Sequence, residues 1–178
     1  TGSEADRVAG MQESVLSHHV LGRFVKAPGR CELSVFATDP ETGVLVKCRF
    51  DKLLDAKLAI DVKKTQDLRD FGKSVANYGY HMQAAFYTDV WKWATGEDLD
   101  GFMFAAVEEQ MPHASAMITL DDEAMDIGRM EYRKALNTYA ECFERDEWNG
   151  IYQELAPVQL PSWYINQIEN ESEVKFDE

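Results

Sequence analysis

Cys48-Arg-Phe-Asp-Lys-Leu-Leu-Asp-Ala-Lys-Leu-Ala-Ile-Asp-Val-Lys-Lys-Thr65 decides how the rest of this 178-residue chain is read. Both halves of the stretch alternate apolar and polar side chains, which is the period of a strand, and Asp55-Ala-Lys57 supplies a tight reversal between them. In the first half Val44, Val46, Cys48 and Phe50 make the apolar side, leaving Lys47, Arg49 and Asp51 on the other. In the second half Leu58, Ile60 and Val62 point one way, so Asp61 and Lys63 share the opposite face beside Ala59. The reading therefore predicts that Asp51 and Asp61 face one cleft.

Working upstream, Cys31-Glu-Leu-Ser-Val-Phe-Ala37 alternates as a strand, and Asp39-Pro-Glu-Thr-Gly43 is a turn that joins it to a second strand at 44–54. With Leu33 and Val35 inward, Glu32 and Ser34 lie on the other side, where Glu32 can join Asp51 and Asp61 around Lys63. Glu32 can equally pair with Lys47 or Arg49 as an exposed salt bridge. Before the hairpin, Val8, Met11, Val15, Leu16, Val20 and Leu21 at helical spacing predict one helix over 4–25 with Ser3 as a cap, and Pro28-Gly29 ends it.

Downstream of the third strand, 58–64, Asp67 is placed to cap a helix. Residues 67–96 read as one or two helices, interrupted near Tyr78-Gly-Tyr80 and stopped at Gly96. Strands at 101–108 and 114–120 follow, then a long charged helix over 121–145. Pro157 and Pro161 punctuate a loop, 162–170 is a short helix, and the acidic end from Glu169 to Glu178 is expected to fray. Hairpins too short for parallel crossovers, followed by helices and further strands, predict an α/β sandwich with a mixed sheet.

Composition narrows the function classes. Three cysteines without CxxC spacing, Cys31, Cys48 and Cys142, suggest neither a disulfide framework nor zinc, and point to a reducing, cytoplasmic setting. No apolar run reaches the roughly 20 residues that span a bilayer, so no membrane partner is expected. The net charge of −14 speaks against a polyanionic partner, but it is unevenly spread. Residues 1–88 hold 12 Lys and Arg against 11 Asp and Glu, whereas residues 89–178 hold 6 against 21. Phosphate contacts are expected between 47 and 73, where Lys47, Arg49, Lys52, Lys57, Lys63, Lys64, Arg69 and Lys73 cluster.

Carboxylates gathered on one face repel and lose hydration unless a cation neutralises them. A hard divalent ion fits: Mg²⁺ takes oxygen ligands and keeps several waters, which suits Asp51, Asp61 and a backbone carbonyl such as that of Val62. Such an ion polarises a phosphoryl oxygen and lowers the pKa of a bound water. Lys63 would orient or help deprotonate that water, or stabilise charge building on the phosphate. An Asp-X-Lys tripeptide alone is common; the second aspartate across a tight strand connection is what gives it meaning. Gln83 and Tyr87, four apart, share a helix face and can reach the same site, although an aromatic stripe at this spacing ordinarily packs a core. Trp91 and Trp93 are assigned to packing.

Four runs in order, Glu32-Leu-Ser-Val-Phe with Asp39-Pro-Glu-Thr-Gly43, Cys48-Arg-Phe-Asp51, Ile60-Asp-Val-Lys-Lys-Thr65 and Tyr78-Gly-Tyr-His-Met-Gln-Ala-Ala-Phe-Tyr87, resemble the nuclease domain of the RecE exonucleases (exonuclease VIII) and their phage and prophage relatives. The resemblance covers most of residues 5–150. It implies a PD-(D/E)XK, restriction-endonuclease-like core, with Asp51 and Asp61 as metal ligands, Lys63 as the catalytic lysine and Glu32 assisting. Gln83 and Tyr87 match the Gln-X-X-X-Tyr element of RecB-like nucleases.

It also implies Mg²⁺, with Mn²⁺ as a substitute, double-stranded DNA ends as substrate, 5′-to-3′ polarity, a ring-shaped homo-oligomer, a single-strand annealing protein as partner, and the cytoplasm of a bacterial host. Relatives carry a metal-site histidine on an amino-terminal helix ahead of the matched region. Neither His18 and His19 nor His81 stands at a matching place, so the expectation is a single nuclease domain over 1–178 without that segment. Two other readings stay open: a catalytically silent module that binds DNA or a partner, and an endonuclease built on the same core.

Overall fold

The computed structural model describes residues 2–150 and 157–173. In chain order they form α1 (Gly2–Ser17), α2 (Leu21–Lys26), β1 (Gly29–Thr38), β2 (Leu45–Leu54), β3 (Leu58–Thr65), a 3₁₀ turn (Leu68–Asp70), α3 (Phe71–Tyr78), α4 (Tyr80–Thr95), β4 (Gly101–Glu108), β5 (Ser115–Thr119), α5 (Asp122–Arg145) and α6 (Ser162–Glu173). The residues fall into two compact units, Thr1–Glu141 and Cys142–Glu178. The sheet and the helices around it lie in the first; the second holds the last turn of α5 and all of α6.

The five strands stand in the order β1-β2-β3-β4-β5. Only β3 and β4 run parallel, and the other neighbours are antiparallel, so the sheet is mixed as predicted. The parallel pair demands a crossover, and the 3₁₀ turn, α3 and α4 provide it. Asp67 opens this crossover, its carboxylate accepting the Arg69 N–H. Gly79, at φ 65°, ends α3 with its N–H on the Val75 carbonyl, and α4 starts immediately in a new direction.

Two cores sandwich the sheet. On one side Cys48, Phe50, Ala59, Phe104 and Ala106 pack with Ala84, Val90 and Trp91 of α4. On the other, Leu54, Ile60, Met103 and Ala105 pack with Leu21 of α2. The central strands are thus buried on both faces, which explains the nearly unbroken apolar run of β4. Trp91 packs edge-on to Phe50, and Trp93 edge-on to Tyr132, so both tryptophans are packing residues.

Two expectations need correction. The single helix over 4–25 is two helices: His18 Nδ1 accepts the N–H groups of Val20 and Leu21, each at 3.2 Å, and the chain turns there. Gly22 permits that turn, since a Cβ would stand 2.3 Å from the Leu16 carbonyl oxygen. The short helix expected over 162–170 runs on to Glu173 as α6, from a start at which the Pro161 carbonyl accepts the Tyr164 and Ile165 N–H groups. Residues 174–178 lie outside the described residues. Among those described, no helix is long and apolar enough to cross a membrane, and all three cysteines are free.

Candidate active site

The site begins where the β2–β3 ladder ends. These strands pair only at Lys52 with Ile60 and Leu53 with Ala59, whereas β3 pairs with β4 along its whole length. Past Lys52, β2 parts from β3, and Asp51 fills the gap: its Oδ2 accepts the Val62 N–H at 2.8 Å. A side-chain carboxylate thus satisfies a backbone donor at the split, and Val62 is left 54% exposed.

The register brings Asp51 and Asp61 together: Leu53 pairs with Ala59, both pack on the α4 side, and the next positions on that side are Asp51 and Asp61. Phe50 also packs on the α4 side, so the alternation of β2 shifts phase between Phe50 and Leu53, which the sequence pattern did not announce.

Asp61 is 4% exposed. Its Oδ1 accepts the Gln83 Nε2 at 2.7 Å, and Lys63 donates to Gln83 Oε1 at 2.9 Å, so one amide from α4 ties the aspartate to the lysine. Lys63 Nζ also stands 2.5 Å from Asp61 Oδ2. That approach is an ion-pair contact without hydrogen-bond direction, and Oδ2 remains a buried oxygen with no hydrogen-bond donor. Burial pushes the Asp61 carboxyl above its ordinary pKa and the Asp51 charge adds to the rise, while Lys63 and the Gln83 bond oppose it. The Lys63 ammonium is held 4.5 Å from the Tyr80 ring centroid and 5.9 Å from that of Phe104.

Gln83 and Tyr87 split the two readings given for them. Gln83 joins Asp61 and Lys63 directly. Tyr87 is half in the core, edge-on to Phe50 at 5.4 Å and to Phe102 at 6.2 Å. Burial raises its hydroxyl pKa, with bonds to the Arg49 backbone and Gln83 working against that.

Glu32 does not join them. Its side chain makes a 2.7 Å ion pair with Arg49, both being 58% exposed. Its backbone takes φ 54°, in the left-handed region that is costly for a non-glycine residue. The flanking pairs Cys31 with Lys52 and Leu33 with Phe50 set Glu32 opposite Asp51, where like charges repel, and the pairing with Arg49 relieves this. Among the described residues no three His, Cys, Asp or Glu side chains come together as a metal cluster, so the expected trio reduces to Asp51 and Asp61.

Two nonlocal features were not visible in the sequence. Asp39, fully buried in the β1–β2 turn, accepts two bonds from Arg133 of α5 at 2.9 and 2.8 Å, a pairing across 94 positions that no local pattern announces. A cavity of about 450 Å³ opens between α4 and α5, lined by Tyr78, Met82, Phe86 and Tyr132 and bordered by Gln83 and Tyr87. Its aromatics and both helices were visible in the sequence, but that α5 faces α4 here was not.

Residues 2–154 match the family described as a PDDEXK-like domain of unknown function (DUF3799). The chain belongs to this PDDEXK-like family. Among solved structures it is similar to a putative exonuclease from Eubacterium rectale, with a TM-score of 0.67 and 13% identity over 90% of this chain and 64% of that one. It is also similar to a phage-related exonuclease from Haemophilus somnus 129PT, with a TM-score of 0.46 and 14% identity over 79% of this chain and 72% of that one. The chain therefore spans about two-thirds of each solved exonuclease, 64% of the first and 72% of the second. No curated protein matches the sequence significantly. The PDDEXK-like fold is the one that the resemblance to RecE-type exonucleases implied.

PDDEXK nucleases generally use divalent metals. The donor set here fits one: a buried aspartate oxygen lacking a hydrogen-bond donor, a second carboxylate close enough to raise the first one's pKa, and an ammonium standing in for the missing positive charge. Asp51 and Asp61 could hold such an ion with a neighbouring carbonyl and water.

Proposed function

We propose that this PDDEXK-like chain is a metal-dependent deoxyribonuclease that degrades linear duplex DNA from its ends. The observation that carries the reading is the buried Asp61 carboxylate beside Asp51, its Oδ2 met only by the Lys63 ammonium at 2.5 Å. A buried carboxylate beside a second carboxylate is costly, and a bound cation lowers that cost.

Asp51 and Asp61 are the residues that would hold Mg²⁺, or Mn²⁺ in its place, together with the Val62 carbonyl. Once bound, the ion supplies Lewis-acid polarisation of the phosphodiester and of a water. Lys63, held here by Asp61 and Gln83, would be the catalytic ammonium, orienting water or stabilising charge on the phosphate. Gln83 holds both Asp61 and Lys63 in register from α4, and Tyr87 fixes the Gln83 turn against the core. Glu32, facing Arg49, is at most an outer assistant.

The finer details follow the resemblance to RecE-type exonucleases: 5′-to-3′ polarity, a ring-shaped homo-oligomer around duplex DNA, a single-strand annealing protein as partner and a role in recombination inside a bacterial host. Incubation of linear and covalently closed circular duplexes with Mg²⁺ tests the reading. Loss of the linear form alone is expected. Equal loss of both would make the enzyme an endonuclease, and loss of neither, with metal bound, would leave a silent binding module.

A further inference from the structure

The cavity between α4 and α5 shares a wall with the candidate site. Gln83 lines it, and the same amide bonds Asp61 through Nε2 and Lys63 through Oε1, so cavity and carboxylates lie on either side of one side chain. The rim is tied to the site as well. Tyr78, 71% exposed at the elbow where Gly79 turns the chain, stacks on Tyr80 with centroids 5.6 Å apart, and the Lys63 ammonium stands 4.5 Å from the Tyr80 centroid.

The walls select what can enter. Every residue lining the cavity is uncharged, in a chain that carries −14. Tyr78, Phe86, Tyr87 and Tyr132 contribute rings, and Met82 and Ala135 complete the lining between them. The Gln83 amide is committed to Asp61 and Lys63, and the Tyr132 hydroxyl donates to Asp89 at 2.5 Å. A charged ligand finds no counter-charge here, whereas a flat aromatic group finds rings to stack on. The volume of about 450 Å³ lies in the range of small-ligand sites. Of the groups along a DNA strand only the base is flat, uncharged and aromatic, and a nucleotide whose phosphate lies at Lys63 carries its base one sugar away.

We infer that the α4–α5 cavity takes the unpaired base of the nucleotide being cut, stacked on its aromatic rings with Tyr78 at the entrance. A base must leave its stack and its partner to enter, and that costs least where pairing is already weak, as at a frayed end. The cavity thus gives a physical reason for attack at ends rather than in the duplex interior. With Gln83 and Tyr132 already engaged, it holds a base by stacking and not by reading its edge.

This inference rests on the nuclease reading for its substrate, and binding is measured apart from cleavage so that each can fail alone. Fluorescence anisotropy of the full chain, with Ca²⁺ in place of Mg²⁺, compares two labelled DNA hairpins with unpaired ends, one carrying mismatched bases at the terminal positions and the other abasic there. The parent should bind the first about tenfold more tightly, the worth of one stacked base. Ala135→Trp, which puts an indole into the cavity, should bring the ratio close to one, and Tyr78→Ala should lower it about threefold. Both positions are exposed, and circular dichroism melts serve as the folding control.

A parent ratio near one, or the parent's ratio kept by both variants, overturns the base cavity even if the protein cleaves DNA. The expected ratios in a protein that cleaves nothing with Mg²⁺ or Mn²⁺ uphold the cavity and sink the nuclease reading instead. A sedimentation coefficient that changes in Ala135→Trp while the ratio stays at the parent value would give the cavity to a second copy of the chain, and would also overturn the proposal.

Discussion

Among the described residues two aspartates are buried, Asp39 fully and Asp61 at 4% exposure, and they are treated in opposite ways. Asp39 is saturated. Its Oδ2 accepts from the Thr42 N–H at 2.8 Å and the Thr42 hydroxyl at 2.5 Å, and Arg133 grips both oxygens. Burial alone would raise its pKa, but Arg133 and Thr42 overcome that and hold it down to about 2. Asp61 has a lysine and a glutamine, one oxygen without a hydrogen-bond donor, and a pKa pushed up. The first fastens a turn to a helix, since Arg133 also lies against the Trp93 and Tyr132 rings. The second is left incomplete, which is the state expected of a group kept for a ligand.

If the contrast is right, substitutions should separate stability from activity. Asp61→Asn should cut cleavage of linear duplex by about 10³-fold or more, with a thermal midpoint equal to or above the parent's because a poorly satisfied buried charge has gone. A large loss of stability in Asp61→Asn would place it beside Asp39 as a structural residue. Asp39→Ala should do the reverse, lowering unfolding free energy by about 3 kcal/mol in a denaturant titration, since Arg133 loses its main partner. Its metal affinity should stay at the parent value.

The acid limb of the stability profile is a smaller and finer probe. With a folded pKa near 2 against an ordinary 3.8, Asp39 favours the folded state fully above about pH 4. That contribution, on the order of 2 kcal/mol, is lost as pH falls through about 2. Chemical denaturation at several pH values should show the slope, and Asp39→Asn should flatten it. An unchanged slope in the variant would mean that other carboxylates carry the acid response.

The fold was legible where local pattern decides. Period-two alternation placed β1, β2 and β3, the Asp39–Gly43 turn gave the hairpin, and Gly79 and Gly96 marked where α3 and α4 end. The site was legible as a list, with Asp61, Lys63 and Gln83 brought together as the motif spacing suggested. What the pattern could not supply was nonlocal geometry. The parting of β2 from β3 depends on where a ladder stops, which alternation does not encode. The Glu32–Arg49 pair was one of the two readings the sequence left open, though the left-handed backbone at Glu32 was not visible there, and Arg133 finds Asp39 only once α5 is docked. His18 as the breaker of the first helix was hidden because its ring nitrogen acts as a local acceptor, a role that apolar periodicity ignores.

Isothermal titration of Mg²⁺ and Mn²⁺ into the parent, Asp61→Ala and Lys63→Ala, paired with single-turnover cleavage, tests the central claim most directly. The account predicts saturable metal binding by the parent, none by Asp61→Ala, and near-parent affinity in Lys63→Ala with cleavage slowed by about 10²-fold or more. Parent-like metal affinity in Asp61→Ala, or parent-like cleavage by Lys63→Ala, would contradict it.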